Sequence, residues 1–196
     1  MDKQYDRAYF DRWYRGRGIG GGQALAHKVA AAVAVAEYHL GRPIRSVLDV
    51  GCGEGAWRAP LLKLRPRVSY LGLDSSEYAI ARYGRSRNLR PARFGDMAWL
   101  RPGPPVDLLV CADVMHYVPD AELRRGLSGF AELCSGMAFL EVYGADDAID
   151  GDMEGFIPRP AAVYRRAFGR AGFAFCGPHC WLSPARLGDA AALEVG

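Results

Sequence analysis

The sequence predicts an α/β protein with a doubly wound, mostly parallel seven-stranded sheet and an antiparallel edge strand. Three observations carry that expectation. Short apolar runs of strand length alternate with segments of helical periodicity, the first run ends in a glycine-rich turn that opens a helix, and the last two strand candidates have no clear helix between them. Ahead of the first strand, Leu25, Val29, Val33, Ala36 and Leu40 recur near helical spacing over 23–40, and Gly41 with Pro43 supplies the stop. The first strand is expected at 46–51, followed by the glycine turn and a helix over 56–64. The alternation continues with a strand at 69–74, a helix at 76–87, a short strand at 92–94 and a strand at 106–112. A helix over 121–134, a strand over 137–143 and a helix over 160–171 follow. Strands at 173–176 and 190–195, joined by a loop, are expected to pair antiparallel at one edge.

The 196 residues suit one domain, 1–196, within which 1–40 is expected to form an N-terminal helical cap or lid. Twenty-five Lys and Arg against 22 Asp and Glu give a net charge of +3, with both signs spread along the chain. That gives no concentrated basic face, so no nucleic-acid partner is expected. The longest apolar stretch, 29–36, is Ala-rich and far too short to span a membrane, and the N-terminus lacks an apolar signal core. A cytoplasmic location is expected. An odd number of cysteines, Cys52, Cys111, Cys134, Cys176 and Cys180, reads as reduced thiols.

The chemistry gathers at 47–55, Val-Leu-Asp-Val-Gly-Cys-Gly-Glu-Gly, the first strand-to-helix turn, where open α/β sheets bind ligands. Glycines there let a ligand approach the backbone. Gly51, Gly53 and Ala56 also satisfy the dinucleotide pattern, and Asp74 at the end of the second strand can accept hydrogen bonds from ribose hydroxyls in either a nicotinamide or another nucleoside site. Asp49, two places before the first glycine, and Gly95-Asp96-Met97 after the third strand are the features that discriminate.

With these residues the chain resembles the class I S-adenosylmethionine-dependent methyltransferases, from about residue 45 to 172. Asp49-x-Gly51-x-Gly53-x-Gly55 looks like that family's first motif, and residues 106–120, Val-Asp-Leu-Leu-Val-Cys-Ala-Asp-Val-Met-His-Tyr-Val-Pro-Asp, are similar to its fourth strand and following turn. The resemblance implies S-adenosylmethionine as cofactor, with S-adenosylhomocysteine as product. It makes Asp74 the ribose acid, with Ser75 beside it, and Asp96, next to Met97, the acceptor from the adenine amino group. The backbone near Gly51 and the carbonyl of Cys111 or Ala112 would take the cofactor's amino group, with Asp49 holding the loop from behind. Cys52 fits a crowded loop rather than acting as a nucleophile. Structural alternatives stand beside these roles: Asp96 as a helix cap before Met97, and Asp74 as the cap for a helix at Ser76.

For the methyl acceptor the reading is a small molecule, with O- or N-methylation favoured. His116, just beyond the fourth strand, is the candidate base, since its ordinary pKa suits proton removal from a hydroxyl or amine. The alternative is that it packs in the turn. Tyr117, Glu141 and Tyr143 share that rim and could orient the acceptor. Tyr5, Tyr9, Phe10, Trp13 and Tyr14, followed by the glycines of 16–22, suggest a lid, or a segment that merely packs on its own domain. The acidic stretch 145–154 reads first as a solvated loop and second as a site for a cation or cationic substrate. Cys176, His179 and Cys180 are too few for a structural metal site, and no metal is expected. A run of the Asn/Asp-Pro-Pro-aromatic type, used to hold an extruded base, is missing. The alternatives kept are a non-catalytic S-adenosylmethionine-binding module and an NAD-dependent oxidoreductase, the latter giving Asp96 no role and lacking a Tyr-x-x-x-Lys pair.

Overall fold

Period-two alternation along the central strands divides the core into two apolar layers. In β1 (Ser46–Val50) Val47 faces one layer and Leu48 and Val50 the other; in β4 (Val106–Ala112) Leu108 and Val110 oppose Leu109 and Cys111. β5 (Cys134–Glu141) repeats the pattern, with Met137 and Phe139 opposite Ala138 and Leu140. Strands buried on both faces need helices on both sides. The computed structural model, which describes residues 5–16, 22–148 and 151–196, supplies them.

The chain begins with α1 (Arg7–Phe10), continued by a wider π-helical segment, Asp11–Gly16, and then α2 (Gly22–Leu40). β1 leads through the glycine turn to α3 (Arg58–Leu64), β2 (Ser69–Asp74), α4 (Glu77–Arg87) and β3 (Leu89–Pro91). Next come a 3-10 turn at Phe94–Ala98, β4, a second at Met115–Tyr117, α5 (Asp120–Leu127), α6 (Phe130–Leu133) and β5. α7 (Ala161–Arg170), β6 (Ala174–Gly177), β7 (Cys180–Leu182) and a 3-10 turn at Pro184–Asp189 complete the described elements.

The strand order is β3-β2-β1-β4-β5-β7-β6. The first five strands run parallel, while β7 pairs antiparallel with both β5 and β6. This is the expected seven-stranded sheet with its antiparallel edge pair. Successive strands leave β1 in opposite directions, so the crevice between the carboxyl ends of β1 and β4 is the place where such sheets bind ligands.

Several boundaries differ from the sequence expectation. The third strand lies at Leu89–Pro91 rather than 92–94, because Asn88 caps α4 in the left-handed conformation and Leu89 then pairs at once with Gly72. The helix expected over 121–134 is split at Gly129, where a Cβ would lie 1.8 Å from the Met97 carbonyl oxygen. The segment 190–195 is not a strand. A tight turn through Pro178 and His179, the latter at φ 58°, returns the chain after β6, so the fully buried Cys180–Leu182 takes that place. α2 does not belong to a lid: Val29, Ala32, Val33 and Ala36 pack with Val47, Trp57, Met137 and Phe139. The glycines at 18 and 20–21, expected to belong to a lid, lie outside the described residues. Among the described residues no helix is long and apolar enough to cross a membrane.

Candidate active site

A cavity of about 460 Å³ opens over the carboxyl ends of β1, β2 and β4. Its floor is main chain. Gly51 leaves β1 at φ 73°, a region costly for side-chain-bearing residues, and a Cβ there would meet a Val114 methyl at 2.3 Å. The Gly51 and Cys52 N–H groups donate to the Leu73 carbonyl at 2.7 and 3.1 Å, locking the turn against β2.

Asp74 ends β2 in the cavity wall. One carboxylate oxygen accepts from Gly53 N–H at 2.6 Å and the other from Ser76 N–H at 2.8 Å. Burial pushes its pKa above the usual carboxylate range, against the pull of those donors. A carboxylate offers about four acceptor positions, so these two bonds do not exhaust its capacity. The capping role stays with Ser76, whose hydroxyl accepts from Ala79 N–H.

Asp49 lies one layer deeper. It is 2 % exposed, accepts a 2.7 Å hydrogen bond from the Tyr70 hydroxyl and is raised to about 7, first by burial and then by the Asp74 charge, with the Tyr70 bond opposing. It supports the turn from behind rather than lining the cavity.

Of the other residues singled out in the sequence, Gly51, Gly53, Asp74, Ser75, Met97 and Tyr117 line the cavity. Cys52, Gly55, Asp96, Cys111 and Ala112 do not. Asp96 turns back on its own 3-10 turn, accepting from Arg93 N–H at 2.8 Å as the third residue of a turn that Arg93 caps, rather than capping a helix that starts at Met97. Cys111 is sealed in the core, and a Cβ on Gly55 would meet Leu89, so both positions serve packing. Burial drives the Cys52 thiol far above its ordinary value, which leaves it un-ionised and a poor nucleophile.

The rim residues divide similarly. His116 is 1 % exposed, sits among Tyr117, Tyr143 and Phe156, and accepts at Nδ1 from Tyr143 N–H at 3.4 Å. It is a packed ring behind the wall, which removes it from reach as a base. Glu141 is buried and paired with Lys28 of α2 at 2.6 Å, and Tyr143 is outside the lining too. Several contributors were missed, Phe94 among them. Asp113, held at φ 63° just past β4, lines the cavity, as do Val114 and Glu122, and Glu122 receives the Gly95 N–H at 3.1 Å. The position of Asp113, one step beyond a buried strand at the crevice, was the available signal.

Tyr5, Tyr9 and Phe10 cover the opening. The Tyr5 carbonyl accepts from the Ser76 hydroxyl at 2.6 Å, Phe10 stacks on Tyr78 at 5.6 Å, and Arg15 reaches Glu54 at 2.8 Å. Opposite them, the loop between β5 and α7 is held by Tyr117, whose hydroxyl donates to the Asp152 carbonyl at 2.6 Å. Arg159, nearly buried, ties that loop to the turn after β4 through Asp120 and the carbonyls of Met115 and Val118. Of the acidic stretch, Asp147 and Asp152 bond main-chain N–H groups of their own loop, while Asp150 lies outside the described residues. Among the described residues no three His, Cys, Asp or Glu side chains group as metal ligands.

A methyltransferase-domain family model matches residues 48–138. Those residues run from β1 to the middle of β5 and include Asp49, Gly51, Asp74 and Asp113. Over that segment the chain is similar to methyltransferase domains. Among curated relatives, it is 36 % identical over 89 residues to a trans-aconitate 2-methyltransferase of Methylobacterium nodulans, covering 45 % of this chain and 34 % of that protein. A second trans-aconitate 2-methyltransferase, from Deinococcus radiodurans, is 37 % identical over 81 residues, 40 % of this chain and 30 % of the relative. The chain thus spans about a third of the length of the relatives it matches. Among solved structures, the sugar N-methyltransferase KedS8 from a Streptoalloteichus species superposes with a TM-score of 0.70 at 20 % identity, over 93 % of this chain and 95 % of that one. DesVI of Streptomyces venezuelae gives 0.68 at 18 %, over 89 % and 98 %. These likenesses extend the shared fold beyond the matched segment.

Proposed function

We propose that the chain binds S-adenosylmethionine in this cavity and transfers its methyl group to a small-molecule acceptor. The observation that carries the reading is Asp74: a buried carboxylate that lines the cavity at the end of β2 with its two oxygens held by the Gly53 and Ser76 N–H groups. Two adjacent ribose hydroxyls suit that geometry. Phe94 and Met97 offer an apolar wall for a purine ring, and the main chain at Val50 and Gly51 can approach the amino-acid end because no side chain intervenes. No phosphate-binding feature is required by such a ligand.

The bound cofactor supplies an activated methyl group on a sulfonium, so the protein's contribution is chiefly orientation and exclusion of water. Asp74 and the glycine turn fix one end. Tyr5, Tyr9 and Phe10 close the top, and Tyr117 and Asp113 face the space left for an acceptor. The identity of the relatives' acceptor is not carried over, since the match covers only the shared central segment. Incubation with methyl-labelled S-adenosylmethionine and a small-molecule library, read as release of S-adenosylhomocysteine, tests the reading. Acceptor-dependent release supports it; cofactor binding with no release across the library would favour a non-catalytic binding module.

A further inference from the structure

We propose that Asp113 selects the acceptor and that the group it takes is an amine, an inference that rests on the methyltransferase reading above. Asp113 lines the cavity immediately after β4. Its N–H donates to the Glu141 carbonyl at 3.2 Å, which fixes the residue to β5. Among the described residues its carboxylate has no hydrogen-bond partner and no ion pair, unlike Asp74, Asp49 and Glu141.

The surroundings decide the sign of the ligand. Glu141 on β5 stands behind Asp113, and the one cation acting on both, Lys28 of α2, is already engaged by Glu141 at 2.6 Å. Tyr117 in the turn and Tyr143 after β5 feel the charge of Asp113, while Tyr5 of the cap feels that of Asp152 and Glu154. A carboxylate-bearing acceptor would enter a space edged by like charge. An amine meets a carboxylate acceptor, which favours a cation. The bound ammonium first gives a proton to the Asp113 carboxylate and from there to water. The freed nitrogen lone pair then forms the new N–C bond while the methyl–sulfur bond breaks and leaves its electron pair on sulfur, and the product is the methylated ammonium.

The test uses calorimetry on the full chain and on Asp113→Asn, which keeps the side-chain shape. S-adenosylhomocysteine is titrated first, then benzylamine, benzyl alcohol and benzoate into the saturated protein. The expected result is S-adenosylhomocysteine affinity alike in both proteins, with benzylamine preferred over the other two probes by at least about tenfold in wild type and not in the variant. Benzoate or alcohol binding as tightly as the amine, an amine preference that survives in Asp113→Asn, or no benzylamine binding would overturn the proposal. So would a parallel loss of S-adenosylhomocysteine affinity in the variant, which would make Asp113 a cofactor contact. Failure of wild type to bind S-adenosylhomocysteine at all would instead remove the methyltransferase reading on which the proposal rests.

Discussion

The two halves of the cavity are built differently. At the ends of β1 and β2, the Gly51 N–H donates to the Leu73 carbonyl at 2.7 Å and the Gly53 N–H to the Asp74 carboxylate at 2.6 Å, within elements that pair residue for residue. Across from them, Tyr5, Tyr9, Phe10, Asp113 and Tyr117 come from a cap, a turn and a loop, held by side-chain contacts to Ser76, Glu54 and Asp152. The first half is fixed by the backbone of the sheet and can serve any acceptor chemistry. The second is assembled from segments free to vary, which is where specificity on a shared fold resides.

Substitutions separate the halves. The largest effect is expected for Gly51→Ala: a Cβ on a positive φ, against Val114, should destabilise the fold by about 1–3 kcal/mol from overpacking alone and abolish cofactor binding, measured by thermal unfolding and calorimetry. On the other side, Arg159→Met leaves the Met115 and Val118 carbonyls without their buried donor. It should cost about 1–3 kcal/mol in chemical unfolding, with the cofactor affinity retained. A smaller, kinetic change is expected for Arg15→Ala, which releases the cap from Glu54: cofactor should dissociate a few-fold faster in stopped flow with no shift in the unfolding midpoint. If dissociation is unchanged, the cap does not close the site.

A separate effect concerns pH. Asp49 rises from an ordinary 3.8 to about 7 in the fold, so the folded state binds its proton more tightly than the unfolded chain does. Its contribution to stability is complete below the unfolded value and is lost as pH rises through about 7. Asp49→Asn, which keeps an oxygen for the Tyr70 hydroxyl, should flatten stability against pH between those limits. A cationic cofactor favours the ionised carboxylate, so binding to wild type near neutral pH should release protons, and calorimetry in buffers of different ionisation enthalpy reads that release.

The same contrast explains what could be read in advance. Gly51 and Asp74 were legible because one strand-turn-helix segment and the end of the next strand dictate them through short-range geometry. Tyr117, on the turn after β4, was legible for the same reason. Asp113 had a signal in its position one step beyond a buried strand at the crevice and was passed over, whereas Glu122 lies on an ordinary amphipathic helix that only packing brings to the cavity. His116 and Glu141 were placed correctly at the carboxyl edge, yet sequence position cannot say that a ring is enclosed by Tyr143 and Phe156 or that a carboxylate is paired with Lys28, 113 residues away. The break at Gly129 and the edge strand at Cys180–Leu182 were likewise missed because contacts with distant segments, Met97 in one case and β5 in the other, settle them.

The central claim is that the strand-end half holds S-adenosylmethionine through Asp74. It is tested most directly by calorimetric titration of S-adenosylhomocysteine into wild type and Asp74→Ala, with NADH as control and thermal unfolding to verify that the variant is folded. At about 1.5–3 kcal/mol for each charge-assisted hydrogen bond, loss of both ribose contacts predicts binding weakened by about a hundredfold or more, with no NADH binding to either protein. Unchanged affinity in a folded Asp74→Ala protein, or NADH binding in place of S-adenosylhomocysteine, would contradict it.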